Sequence, residues 1–212
     1  MSGKFSRTGG RMGGQRGFTL IEMAIVLIII GIIIGAVVKG KDLIRSAEQK
    51  KLYNQFLSAW ELAYVNYYER TGRILGDTNT PDNSGTRDGR CANDLTLANL
   101  EAQLRAVGLD PPAPGPTGSS ATRRYSASNG TQYTLTISFR SRSDGTASNY
   151  NCIEILGMPT ELGIAFDRIK DEEMDGTAGS FIAVSGNGGP RIAWPNVTTS
   201  QTVFAARLIL GF

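Results

Sequence analysis

The sequence predicts an α+β fold in which one long N-terminal helix packs on an antiparallel sheet. Three patterns predict it. An almost unbroken apolar run fills residues 18–38, a helical apolar stripe continues to about residue 70, and apolar and polar residues alternate in short segments after residue 130.

The apolar run reads FTLIEMAIVLIIIGIIIGAVV, with Glu22 its only charge. As a helix it is about 30 Å long, the thickness of a bilayer core. It is too long for the core of a secretory signal, and no Ala-x-Ala site follows it. Lys4, Arg7, Arg11 and Arg16 precede it with no acid among them. The positive-inside rule then keeps the N-terminus cytoplasmic and exports the rest. A carboxylate five residues into such a segment costs a few kcal/mol unless it has a partner. Gly31 and Gly35, four apart, permit close helix–helix packing, although glycine is also simply common in membrane helices.

Beyond the run, Leu52, Phe56, Ala59, Ala63 and Tyr67 recur at spacings of three and four, and Trp60 and Tyr64 widen the stripe. The spacing predicts one helix from residue 18 to about 70, on the order of 80 Å long. Residues 72–90 read as a loop, 93–107 as a short helix ended by Gly108 and Pro111, and 111–120 as a surface loop. Tyr133, Leu135, Ile137 and Phe139 mark a half-buried strand. Residues 151–156, 180–184 and 202–210 read as further strands, and 159–170 as a helix. The expected organisation is a basic leader (1–17), a membrane or filament-core helix (18–38), its amphipathic continuation (39–71) and an exported α+β head (72–212).

Composition excludes several functions. The chain has 212 residues and no histidine, which removes His-containing triads and His-ligated metal sites. No Ser-x-x-Lys, Gly-x-Ser-x-Gly or phosphate loop appears. With the four leader cations set aside, 18 basic residues face 19 acidic ones, so the body is not a basic nucleic-acid binder. Arg123-Arg124 beside Tyr125, and Arg140 with Arg142, could touch phosphates but read better as a solvated face. Cys91 and Cys152, both on the exported side, read as a disulfide closing about 60 residues and contributing about 4 kcal/mol. Two buried thiols are the alternative. Asp167, Asp171 and Asp175, with Glu172 and Glu173 between them, are a weak calcium candidate, but helix capping and a turn before Gly176 explain them better. No other cofactor is expected.

Arg16-Gly17-Phe18-Thr19-Leu20-Ile21-Glu22 resembles the processing motif of type IV prepilins and type II secretion pseudopilins. The resemblance implies cleavage after Gly17 by a membrane prepilin peptidase, and N-methylation of the new terminus at Phe18. It also implies that Glu22 pairs with the Phe18 amine of a neighbouring subunit, giving the buried charge its partner. The expected protein is a non-enzymatic filament subunit of pilin-like architecture. It would lie in the bacterial inner membrane as a single-pass precursor with a periplasmic head, then join an extracytoplasmic or cell-surface filament. Its partners would be copies of itself, other pilin-like subunits, the peptidase/methyltransferase, an inner-membrane assembly platform and, before assembly, lipid. Nucleic acid is not expected.

The stretch from Leu43-Ile44 through Tyr68-Glu69-Arg70 to Gly76-Asp77 also looks like a pilin subgroup, as does Asp175-Gly176 followed by Thr177 and Gly179. Lys39 and Leu75 stand where prolines are usual, which favours a minor or atypical pilin. A secretion pseudopilin, an uncleaved anchored binding module and an enzyme built on the acidic cluster are the competing readings.

Overall fold

The computed structural model describes residues 17–85, 87–143, 149–186, 189–196 and 203–211. The four leader cations and Thr202, at the start of the last expected strand, lie outside the described residues. The chain divides into two units, Met1–Ile44 and Arg45–Phe212.

Helical backbone runs unbroken from Leu20 to Thr71. It comprises α1 (Leu20–Leu52), a π-helical turn (Tyr53–Leu57) and α2 (Ser58–Thr71). No residue of α1 is buried. Its first part, residues 20–38, is apolar all round but for Glu22 and unburied among the described residues, so it needs lipid or other protein as its solvent. The helix ends at Gly72, whose φ of 64° lets its N–H close on the Tyr68 carbonyl at 2.7 Å.

A π turn lies within the expected stripe. Tyr53, Phe56, Leu57, Trp60, Ala63, Tyr64 and Tyr67 are buried, whereas the expected Leu52 and Ala59 are only partly so. Phe56, Trp60, Ala63, Tyr64 and Tyr67 were expected from the spacing, and Tyr53 and Leu57 join them in the structure.

The six strands are β1 (Thr122–Ser126), β2 (Gln132–Arg142), β3 (Tyr150–Pro159), β4 (Phe181–Val184), β5 (Arg191–Ile192) and β6 (Val203–Ile209). They form one antiparallel sheet ordered β1-β2-β3-β6-β4-β5. The α+β expectation holds. β1 was not expected, because Thr122-Arg123-Arg124 hides its alternation behind charge. Gly157 carries a bulge in β3. Its φ is 79°, and a Cβ there would stand 2.1 Å from the Thr134 carbonyl oxygen.

The core lies between the second half of the long helix and the sheet. Trp60 and Tyr64 meet Phe139 of β2 at ring-centroid distances of 5.5 and 5.9 Å. Tyr53 meets Phe166 edge-on at 5.2 Å. Phe166 lies on α4 (Thr160–Lys170), which follows α3 (Leu97–Ala106) in the chain. α3 begins later than expected because the Thr96 hydroxyl caps it, accepting from the Asn99 N–H at 3.3 Å.

Candidate functional site

Phe18 is 80% exposed, and Gly17 before it is exposed as well. Thr19 and Glu22 then form a reciprocal cap at the start of α1. The Glu22 carboxylate accepts from the Thr19 N–H and hydroxyl, both at 2.8 Å, and the Thr19 hydroxyl accepts from the Glu22 N–H at 3.3 Å. This is a capping box, and the T-x-x-E spacing signals it in the sequence. Glu22 thus has a local partner within its own chain, and its negative charge sits at the helix end that favours it. Gly31 and Gly35 are exposed, and a Cβ at either would meet nothing within 4 Å. No contact inside the chain requires glycine at those positions.

The prokaryotic N-terminal methylation motif is matched at residues 12–38. The chain carries the type IV pilin and pseudopilin signature. No curated protein and no solved structure matches it. The signature covers Gly17, Phe18, Glu22 and the whole apolar run, and that run is long and apolar enough to cross a membrane. Signature and helix together fit membrane anchoring, processing by a prepilin peptidase and assembly with pilin subunits.

In the head, Cys91 and Cys152 are both free, buried thiols, which corrects the expected disulfide. Each sulfur lies 3.5 Å from a different carbonyl, Leu75 for Cys91 and Arg140 for Cys152. The link from the 89–91 loop to β3 is made by an amide instead. Asn151 accepts from the Cys91 N–H at 2.8 Å and donates to the Gly89 carbonyl at 2.9 Å. Burial pushes the Cys152 thiol up to about 12, and the Cys91 thiol higher still.

The aspartates of the weak calcium candidate each bind protein donors. Asp171 accepts from Ser180 N–H and hydroxyl and from Phe181 N–H, at 2.6 to 2.9 Å. Asp175 accepts from Thr177, and Asp167 accepts from the Trp194 indole at 2.6 Å. The three carboxylates serve separate sets of protein donors. Among the described residues no group of three or more acids or thiols could hold a metal.

The arginines divide as well. Arg123 is not on a solvated face. It is buried, donates to the Ala113, Ser119 and Thr122 carbonyls at 2.7 to 2.9 Å, and lies 5.1 Å from the Phe56 ring centre. Arg140 and Arg142 reach buried Glu154 at 3.2 and 3.6 Å, and Arg207, fully buried on β6, meets it at 3.1 Å. That network was missed from the sequence. Its one signal is Glu154 standing among Ile153, Ile155 and Leu156. Arg124 alone of this set is exposed and makes no ion pair among the described residues.

A groove of about 790 Å³ opens between the helix at Leu52–Ala59, the loop at residues 113–117 and the outer edge of β1. The Ala121 carbonyl accepts from Ile137 N–H, and the Ala127 N–H donates to Thr131. That phase points Arg123 and Tyr125 backbone groups at β2 and turns those of Arg124 outward to the groove.

Proposed function

We propose that the chain is a structural subunit of a type IV pilus-like filament, cleaved after Gly17 and methylated at Phe18. One observation carries this reading: the methylation motif coincides with a long apolar helix that has no buried residue among the described residues. The precursor is held in the membrane by residues 18–38, with its head outside. Cleavage converts the Phe18 N–H into a cation next to Glu22. On assembly the carboxylate pairs with the Phe18 amine of a neighbour, and its desolvation becomes a determinant of register. Gly31 and Gly35 let adjoining helices approach closely.

The absence of proline at residues 39 and 75 favours a minor or atypical pilin over a major one. A secretion pseudopilin shares the same motif and differs in the assembly platform it uses. Mass spectrometry of protein from cells with and without a prepilin peptidase tests the reading. The expected species with peptidase begins at monomethylated Phe18. An intact Met1 form in those cells refutes it and leaves an anchored module in its place. Gly17→Leu is expected to leave the precursor uncut.

A further inference from the structure

The groove beside β1 and the turn after α4 are complementary surfaces of one chain. Apolar atoms of Leu52, Ala59 and Pro114 line the groove, and Lys51 and Arg124 are exposed at it. Arg124 also presents a free N–H and carbonyl on an unpaired strand edge. Glu48 is the one acid there, so the lining carries an excess of positive charge.

The turn is the inverse. Glu172, Glu173 and Met174 are exposed in succession, Met174 at 55%. Asp171 and Asp175 on either side are engaged by Ser180, Phe181 and Thr177, which fixes the turn and leaves the central acids outward. Glu172 holds a left-handed backbone (φ 62°), so the turn projects rather than continuing α4. Among the described residues, Lys51, Arg124, Glu172 and Glu173 make no ion pair with one another or with any other group.

We infer that the groove takes the 172–174 turn of a second copy of this chain. Met174 enters between Leu52 and Pro114, and Glu172 and Glu173 meet Lys51 and Arg124. Copies stacked along a filament present the turn of one to the groove of the next, head-to-tail, and each subunit keeps a groove and a turn for its two neighbours. The inference rests on the filament reading and adds a contact between heads to it. Charge complementarity selects the copy over other occupants, because an acidic, methionine-tipped turn matches a basic, apolar groove.

Charge reversal in the full-length chain, expressed with its assembly machinery, tests the contact. Lys51→Glu with Arg124→Glu, and separately Glu172→Lys with Glu173→Lys, are each expected to cut filament yield about tenfold or more. All four changes together are expected to restore it. Circular dichroism checks that each variant head is folded, and all four positions are exposed. Wild-type yield from either reversed pair, or failure of the fourfold variant to recover, overturns the contact while leaving the filament intact. Absence of filaments from the unmodified chain instead overturns the filament reading.

Discussion

Asp167 offers the sharpest test of the head's energetics. It is 1% exposed, its Oδ2 accepts from the Trp194 indole, and its Oδ1 is buried with no hydrogen-bond partner. Burial pushes its carboxyl up to about 6, against the Trp194 bond, with Asp171, Asp175 and Glu173 adding repulsion. The ordinary value is 3.8, so the folded head binds this proton more tightly than the unfolded chain does. Stability from this group is therefore complete below about pH 4, declines as pH rises through about 6, and is absent above that. A displacement of about two pK units corresponds to about 3 kcal/mol lost between those limits. Asp167→Asn keeps an oxygen for Trp194 and removes the charge, but leaves an amide in place of the unpartnered oxygen. We expect it to raise stability at pH 7.5 by about 1–2 kcal/mol, the amide offsetting part of the gain. At pH 4, where Asp167 is protonated, only the cost of the amide remains, and the variant should be the less stable by about 1–2 kcal/mol. Urea denaturation of the full chain in non-ionic detergent, followed by tryptophan fluorescence from pH 4 to 8, measures both curves. Parallel curves, or a variant less stable at pH 7.5, would refute the argument.

Four other outcomes rest on the geometry of the helix start and the head. Glu22→Gln retains an acceptor for Thr19 but loses the charge, so it should insert normally and assemble poorly. Thr19→Ala should cost about 1 kcal/mol of helix capping and leave assembly intact. Filament yields that rank the two the other way would assign Glu22 to capping alone. Trp60→Ala should destabilise the head by about 3–5 kcal/mol, since the ring is fully buried against Phe139 and its indole donates to the Ser120 carbonyl at 3.1 Å. A midpoint shift in denaturant worth under about 1 kcal/mol would contradict that placement. Cys91 and Cys152 should resist maleimide at pH 8 in the folded chain and both react in urea. Labelling of the native protein would show that the thiols are not enclosed as described.

The helix over residues 20–52 was legible because its signals are local. A continuous apolar run, a capping pair three residues apart and a helical stripe each lie within a few turns of chain. Gly17, Phe18 and Glu22 could be singled out from the sequence because the motif is linear. The strongly alternating strand at Tyr133–Phe139 was legible for the same reason.

What the tertiary structure decided is how distant segments satisfy one another. Asn151 binds the 89–91 loop to β3, and the two thiols are free and buried where cysteine counting expects a bond. Arg123 leaves the surface because the carbonyls of residues 113–122 converge on it, and β1 exists because β2 offers it an edge. Apolar length and periodicity are properties of neighbouring residues and survive in any context. Partners for buried polar groups are chosen only when remote parts of the chain are brought together, and one-dimensional spacing carries no record of that choice.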